Sequence, residues 1–307
     1  MKNSTHQLLM IRPASFGFNS ITAQDNAFQN KTSSHSPEGV KQRAQAQFDF
    51  FVSRLREVGI NVLVIEDTNT PEKPDAIFPN NWISTHTDGK VILYPMKAEN
   101  RRLERREDIV EQLKTKFQVN SVTDLSTHEK ESIFLEGTGS MIFDRVNKIC
   151  YACISHRTDA KLLEEWGEMM GYEIVSFTSK DENGQDIYHT NVMLSVGSDL
   201  AVICAASIPD QEEQAYVLNR LKETGKTIID VSFEQMQQLC CNVLEVCNQE
   251  GDAYLTMSKR AYDAFTSEQI EAIEKHVKIV YSPIPIIEEI GGGGSRCMMA
   301  EIFLPKK

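Results

Sequence analysis

The sequence predicts a mixed α/β fold in which one small module is repeated. Three observations support this prediction. Apolar, strand-like runs alternate with polar amphipathic segments, which is typical of strands alternating with helices. Four pairs of β-rich arms recur at roughly 50 to 60 residues, a period that indicates repeated modules. The run 298–304 can pair with the N-terminal run 7–11, so that the two ends of the chain complete a fifth module.

Each predicted module is a ββαβ unit in which a hairpin is followed by a helix and a further strand. The first helix is expected to begin at Ser36-Pro37, an N-cap followed by a proline at the first helical position, and to end at Gly59. A strand follows over 61–65. Hairpins, in which turn residues separate two apolar arms, are expected over 82–95, 140–155, 191–206 and 242–258. Helices are expected near 37–58, 101–117, 159–170, 210–224, 232–239 and 259–276. Five such units would form a five-bladed pseudosymmetric α/β propeller with a central pocket, whereas an open α/β sandwich without symmetry is the alternative.

Composition limits the classes of partner and site. The 307 residues carry a formal net charge of −12, which disfavours nucleic acid and acidic membrane as partners because both require a basic footprint. A small polar substrate remains open. The sequence contains no bilayer-length apolar run and no signal-peptide pattern, so we expect a cytoplasmic protein. The seven irregularly spaced cysteines are expected to be reduced, and residues 1–307 are expected to form a single catalytic domain.

The stretch from Gly291 to Cys297 is the strongest local indication of a site. Four consecutive glycines, Gly291 to Gly294, indicate a backbone that approaches another group more closely than a Cβ would allow. Successive N–H groups in such a loop favour an anion, lower the pKa of a neighbouring thiol and stabilise an oxyanion. Cys297 is therefore the candidate nucleophile. The alternative is a flexible surface loop followed by a buried cysteine.

Further residues that could act in catalysis precede the first arm of each predicted hairpin, where a ring would bring the modules together. His189 is the candidate general acid/base, and Glu136 is the candidate acid that orients the histidine or a substrate nitrogen. The alternative for His189 is a core histidine that is hydrogen-bonded to the backbone. The alternative for Glu136 is a solvated side chain at a strand edge. These positions lie within 75–81, 135–139, 188–191, 241–242 and 296–297.

Other motifs give little support for a metal or a nucleotide. Cys150 and Cys153 form a CxxC, but their spacing on a strand directs the side chains to opposite faces. The remaining thiols, Cys204, Cys240, Cys241 and Cys247, are expected to be small core residues. The segment 137–140 lacks the lysine and spacing of a phosphate loop. We therefore expect no metal and no cofactor.

The motifs FPNNW, LEGTGS, SHRTD, YHTN and GGGGSRC, in this order, resemble those of the guanidine-modifying superfamily of arginine deiminases, dimethylargininases and amidinotransferases. The resemblance extends from residue 12 to the end of the chain and is greatest to bacterial citrulline-hydrolysing members. It implies the five-bladed propeller called the pentein fold, a covalent thiol mechanism without a cofactor, and a small amino-acid substrate. Assembly into a homo-oligomer is left open.

The resemblance also implies roles for individual residues. Cys297 corresponds to the nucleophile, His189 to the general acid/base and Glu136 to the acid that bonds the reacting nitrogens. Arg101 and Arg157 resemble the arginines that hold the substrate carboxylate. The positions that resemble those lining the substrate head group are Asp75, Asn80 and Asn81.

Two departures from the pattern bear on the substrate. Deiminases hold the cationic guanidinium with carboxylates at the positions of Asn81 and Asn191, and both are neutral amides here. An amide matches the C=O and NH2 of a ureido group, so the sequence favours hydrolysis of citrulline to ornithine, carbon dioxide and ammonia. Gly139 stands where many relatives have an aspartate. The alternatives are an arginine deiminase or dimethylargininase, an amidinotransferase, and a propeller that binds an amino acid without catalysis.

Overall fold

The computed structural model describes residues 3–24, 26, 28–29 and 36–307. Within them the chain forms helices and short strands in regular alternation. In chain order these are β1 (Gln7–Arg12), α1 (Pro37–Glu57), β2 (Asn61–Glu66), β3 (Ile83–Thr85), β4 (Lys90–Leu93), α2 (Glu107–Lys116), β5 (Ser121–Asp124), α3 (Gly137–Ser140), β6 (Ile142–Asp144), β7 (Ile149–Cys153), α4 (Ala160–Met170), β8 (Glu173–Phe177), β9 (Leu194–Val196), β10 (Leu200–Ile203), α5 (Gln211–Glu223), β11 (Thr227–Asp230), α6 (Phe233–Gln237), β12 (Leu244–Cys247), β13 (Ala253–Ser258), α7 (Lys259–Ala264), α8 (Ser267–Glu274), β14 (Lys278–Ser282) and β15 (Ala300–Glu301).

The strands of the described residues form five three-stranded sheets that share one topology. In each sheet the central strand pairs antiparallel with the first hairpin arm and parallel with the strand that follows the helix. In the second sheet, for example, Ile92 of β4 lies opposite Ser84 of β3 and Thr123 of β5. The predicted α/β propeller of ββαβ modules is confirmed.

The two ends of the chain share one sheet. β15 pairs antiparallel with β1, with Leu8 opposite Glu301, and β1 pairs parallel with β2, with Leu8 opposite Val62. The predicted pairing of the terminal runs is therefore confirmed. The last strand is shorter than the expected 298–304, because residues 295–298 form a 3-10 turn that directs Cys297 inward.

Local sequence explains where the helices begin and end. α1 begins after Ser36, whose hydroxyl accepts a hydrogen bond from the Gly39 N–H at 3.2 Å. α4 begins after Asp159, whose carboxylate accepts from the Leu162 N–H at 2.9 Å, and ends at Gly171 with a positive φ of 66°. The helices bury their apolar faces against the sheets; in α1 these are Val40, Ala44, Phe48, Phe51, Val52 and Leu55.

Two predicted helices are divided in the structure. The expected helix 101–117 is a 3-10 segment, Glu99–Glu104, followed by α2, because Arg105 and Arg106 leave helical geometry with ψ values of 81° and 128°. The expected helix 259–276 is interrupted because Thr266 forms a capping box with Gln269 and starts α8. No helix among the described residues is both long and apolar enough to cross a bilayer.

Short turns before the first hairpin arms bring distant parts of the sequence together. A 3-10 turn precedes β3 (Pro79–Asn81), another precedes β9 (Thr190–Val192) and a third precedes β15 (Ser295–Met298), while α3 precedes β6. The turn at 79–81 contacts both α3 and the turn at 295–298, and α3 also contacts the turn at 190–192. The candidate site residues lie on these turns or next to them.

Candidate active site

The Cys297 thiol lies between two asparagine amides. The Nδ2 groups of Asn242 and Asn191 lie 3.3 and 3.4 Å from Cys297 Sγ. The side chain is almost fully buried, and burial raises the pKa of the thiol, although Asn242 and Arg296 oppose the shift. The expectation that the glycine loop lowers the pKa of this thiol below its usual value is therefore wrong. The resting thiol is therefore protonated at neutral pH, and the two amides are placed to donate to the thiolate once the proton leaves.

The glycine loop allows this close packing. A Cβ on Gly293 would lie 2.9 Å from the ring carbons of Phe78, and a Cβ on Gly294 would lie 2.7 Å from Asn242 Oδ1. Gly292 adopts a positive φ of 64°, which disfavours other residues. The glycines thus permit the approach that the sequence predicts.

His189 and Glu136 form a buried hydrogen-bonded pair. His189 Nε2 lies 2.8 Å from Glu136 Oε2, and Glu136 Oε1 accepts from the Lys97 N–H at 2.9 Å. Burial raises the pKa of Glu136, but Arg157 and His189 outweigh this effect and bring it to about 2. Burial lowers the pKa of His189 to about 4, against the opposing effect of Glu136. At neutral pH the carboxylate is ionised and accepts from Nε2–H, which leaves Nδ1 of the neutral ring able to accept a proton.

Arg101 is held by a carboxylate that the sequence analysis did not single out. Arg101 Nε and Nη2 each donate to Glu104 at 2.8 Å, Nη1 donates to Asn81 Oδ1 at 2.9 Å, and Nη2 also donates to the Phe78 carbonyl at 3.1 Å. Burial raises the pKa of Glu104 above its usual range, and the charge of Arg101 opposes this shift. The guanidinium plane is therefore fixed before any substrate binds. The spacing Arg101-x-x-Glu104 allows the two side chains to pair, but nothing in the sequence marks this pair as buried.

Arg157 lies on the other side of the histidine pair. Its Nη1 is 3.4 Å from Glu136 Oε2, and its guanidinium lies over the Tyr188 ring at 4.7 Å. Both arginines that are predicted to bind the substrate carboxylate thus already lie next to a carboxylate of the protein. Arg157 lies next to Glu136, and Arg101 lies next to Glu104.

A segment near the N-terminus closes the site. Asp75 Oδ2 accepts from Asn19 Nδ2 at 2.7 Å and from Thr22 Oγ1 at 3.1 Å, and burial raises the Asp75 pKa. Asn26 Nδ2 donates to the Gly292 carbonyl at 3.3 Å. These contacts are not evident from the sequence, and Asp25 and Ala27 of this segment lie outside the described residues.

These groups enclose a cavity of about 30 Å³. This is well below the volume of about 300–1,000 Å³ that is typical of ligand pockets, so the lining side chains must rearrange to admit an amino acid. The cavity is lined by Thr22, Asn26, Asp75, Phe78, Asn81, Arg101, Arg157, Tyr188, His189, Gly291, Gly292, Gly293 and Cys297.

The three asparagines that were predicted to bind substrate, Asn80, Asn81 and Asn191, take different positions. Asn81 lines the cavity, and Asn191 contacts the thiol. Asn80 is fully buried and does not line the cavity, and its side-chain amide has no hydrogen-bond partner among the described residues. The structure therefore does not place Asn80 where the sequence analysis expected it. Asn242, which the module pattern contained but to which no role was given, contacts the thiol.

Gly139 brings two modules into contact. A Cβ at this position would lie 2.9 Å from Cε1 and Nδ1 of His189 and would collide with Nδ2 of Asn81. The aspartate of many relatives has no room here while Asn81 and His189 hold their present positions.

The remaining thiols lie in the core. All seven cysteines are free, and Cys150 and Cys153 pack in different apolar clusters on opposite faces of β7. Across the described ranges, no group of three His, Cys, Asp or Glu side chains is arranged to hold a metal ion.

Comparison with known proteins identifies the family. The family model described as N,N dimethylarginine dimethylhydrolase, eukaryotic, matches residues 12–304. No curated protein gave a significant match.

Solved structures share the fold at low sequence identity. Apo ArgZ, an arginine dihydrolase from the ornithine-ammonia cycle in cyanobacteria, is 17% identical with a TM-score of 0.75; the match covers 98% of this chain but 41% of ArgZ. The N-terminal domain of ArgZ bound to substrate is 16% identical with a TM-score of 0.75, and 97% of this chain covers 98% of that domain. A dimethylarginine dimethylaminohydrolase carrying an S-methyl-L-thiocitrulline adduct is 15% identical with a TM-score of 0.64, over 97% of this chain and 100% of that one. The chain therefore belongs to the N,N dimethylarginine dimethylhydrolase family of the guanidine-modifying pentein superfamily.

Proposed function

We propose that the protein is a cysteine-dependent hydrolase that cleaves a C–N bond in the ureido group of free citrulline, releasing ornithine, carbon dioxide and ammonia. The observation that carries this proposal is that neutral amides contact the thiol. Asn191 and Asn242 contact Cys297 Sγ, and Asn81 lines the same cavity. Amides offer both donors and acceptors, which suits the C=O and NH2 of a ureido group.

In the proposed mechanism the thiol must first lose its proton. His189 accepts it, and the ionised Glu136, 2.8 Å from the ring, stabilises the imidazolium that forms. The thiolate of Cys297 then attacks the ureido carbon, and loop N–H groups stabilise the oxyanion. As the C–N bond breaks, His189 returns the proton to the departing nitrogen, leaving a thiocarbamate on the cysteine.

Water completes the reaction. His189 removes a proton from a water molecule, the resulting hydroxide attacks the thiocarbamate carbon, and the thiolate leaves. Whichever nitrogen departs first, the second product is a carbamate, which decomposes to carbon dioxide and an amine. We assign the α-carboxylate of the substrate to Arg101 and Arg157, the two cations that line the cavity.

A second candidate is hydrolysis of a guanidino group in arginine or dimethylarginine. The match to the dimethylarginine family model favours it. The ionised Glu136 and the cavity-lining Asp75 also supply carboxylates that attract a cation.

Incubation of the purified protein with citrulline, arginine and asymmetric dimethylarginine, separately and without metal or nucleotide, tests both candidates. Ornithine and ammonia from citrulline alone support the proposed function, and citrulline released from either guanidine supports the second candidate. Cys297→Ser should abolish turnover while the circular dichroism spectrum stays unchanged. Substantial residual activity in that variant would contradict the assigned nucleophile.

A further inference from the structure

A second cavity, of about 80 Å³, lies at the far ends of two hairpins. His86 follows β3, and Arg145 and Lys148 lie in the turn between β6 and β7. The active-site turns precede these same first arms, so the second cavity lies across the length of the hairpins from Cys297. Tyr172, between α4 and β8, forms another wall.

The side chains around this cavity carry an excess of positive charge. Arg145 lies 3.8 Å from Glu301, but Arg296 approaches the same carboxylate more closely, at 3.2 Å. Two arginines thus share one carboxylate. Lys90 forms an ion pair with Asp88 at 3.0 Å, and Asp88 is also the acid that acts electrostatically on Lys148. Among the described residues that line the cavity itself, Arg145 and Lys148 are cations and Asp88 is a carboxylate, in a chain whose formal net charge is −12.

The cationic groups are held by aromatic rings. The guanidinium of Arg145 lies 3.9 Å from the centroid of Phe303, and Lys148 Nζ lies 4.5 Å from that of Tyr172. Arg145, Tyr172 and His86 are each less than a tenth exposed. Cation–π contacts fix a guanidinium without using its N–H groups. Arg145 can therefore donate into the cavity.

A histidine completes the wall. His86 Nε2 lies 2.9 Å from Ser84 Oγ, which in turn lies 2.7 Å from the Tyr94 hydroxyl. This chain fixes the ring and leaves Nδ1 for a further partner. Burial, followed by the charges of Arg145 and Lys148, lowers the pKa of His86, in agreement with an excess of positive charge around the ring.

We propose that this cavity binds a small oxyanion of the size and chemistry of inorganic phosphate, held by Arg145 and Lys148. Planar guanidinium groups bind such oxyanions through paired hydrogen bonds, and an ammonium adds a point charge. A volume of about 80 Å³ is sufficient for one such ion. The ligand would bridge the second and third sheets, β3–β5 and β6–β8.

Thermal unfolding and calorimetry of the full chain test the proposal, with inorganic phosphate, sulfate and a phosphomonoester as probes at constant ionic strength in chloride. Phosphate or sulfate should raise Tm saturably at millimolar concentrations, because a ligand that binds only the folded state stabilises it. Binding of the free ions alone identifies an inorganic ligand, whereas equal binding of the phosphomonoester identifies the phosphoryl group of a metabolite. A Tm that does not rise above the chloride control would overturn the proposal.

Lys148→Gln is the principal variant because Lys148 is only partly buried, whereas the buried Arg145 also stabilises the fold. Losing one charge-assisted contact should weaken phosphate binding about tenfold or more. Lys161→Gln is the matched control, since Lys161 lies on the outer face of α4 with its side chain 85% exposed, and it should leave binding unchanged. Phosphate bound at the arginines of the active site would be insensitive to Lys148→Gln, so an unchanged affinity in that variant would refute this site.

Discussion

Replacing Asn191 with aspartate tests whether neutral amides around the thiol select the substrate. Asn191→Asp places a carboxylate about 3.4 Å from Cys297 Sγ if the side chain keeps its position. At an effective dielectric constant of about 20, the repulsion between thiolate and carboxylate at this distance is about 5 kcal/mol. Since 1.36 kcal/mol corresponds to one pKa unit, the pKa of the thiol should rise by about 3.5 units. Activity on every substrate should therefore fall.

The ratio between two substrates isolates the effect on the substrate itself. The thiol penalty is common to citrulline and arginine, so it cancels in the ratio of their kcat/KM values. A charge-assisted bond between the new carboxylate and a guanidinium contributes about 1.5–3 kcal/mol that a ureido group does not gain. We expect the ratio for arginine over citrulline to rise about tenfold to a hundredfold.

Steady-state assays of ornithine and citrulline release provide the measurement. Asn191→Leu is the control, because it removes the amide without adding charge and should lower both kcat/KM values while leaving their ratio near that of the unaltered protein. A ratio that is unchanged in Asn191→Asp, or that moves equally in the leucine variant, would refute the argument that charge at this position selects the substrate.

Three further predictions concern the supporting residues. Glu104→Gln should raise KM for the amino-acid substrate more than it lowers kcat, because it releases the guanidinium that we assign to the substrate carboxylate; an unchanged KM would contradict that assignment. Gly139→Ala should lower kcat at least tenfold, because its Cβ would lie 2.9 Å from the His189 ring. Gly17→Ala is the control and should leave kcat unchanged, since its Cβ would meet nothing within 4 Å. Equal kcat values for the two variants would contradict the steric argument. Burial lowers the pKa of His189 from 6.5 to about 4, so the unfolded chain binds more protons than the folded chain between these two pH values. The folded state is therefore most stable, with respect to this group, above pH 6.5, and it loses that stability as the pH falls toward 4. Urea unfolding at pH 7 and pH 4.5 should therefore show a loss of about 2 kcal/mol that His189→Gln removes, and an equal loss in that variant would exclude His189 as the cause.

Periodic features of the sequence predicted most of the fold. Hairpin turns such as 86–90 and caps such as Ser36 depend on local chemistry, so their positions follow from a few neighbouring residues. The division at Thr266 was missed because a continuous amphipathic pattern masks a capping box. The break at Arg105 and Arg106 was missed for a different reason: both arginines bond groups distant in sequence, Glu129 and the Glu66 carbonyl.

The candidate site was predictable only in part because its residues are brought together by packing between modules. Cys297, His189 and Glu136 were predicted because each lies at the equivalent position of a repeated unit. The structure places Cys297 and His189 at one cavity and pairs His189 with Glu136. Glu104 lies inside a run of mixed charges, where nothing distinguishes a buried carboxylate from a solvated one. Asn80 and Asn81 are adjacent and identical, and only the direction of the turn at 79–81 decides that Asn81 lines the cavity.

The ionisation of the site follows from burial and a single charge pair. Burial raises the pKa of Cys297 and lowers that of His189, so in the resting protein the proton stays on sulfur. A resting thiolate–imidazolium pair would place two more charges beside a cavity of about 30 Å³ that two arginines already line, with the ionised Glu136 hydrogen-bonded to His189. Keeping both groups neutral avoids that desolvation cost. Charge separation is then needed only when a substrate is present, and at that stage Glu136 stabilises the imidazolium while Asn191 and Asn242 donate to the thiolate. The amides that we propose to favour a ureido group are thus also placed to stabilise the thiolate once it forms.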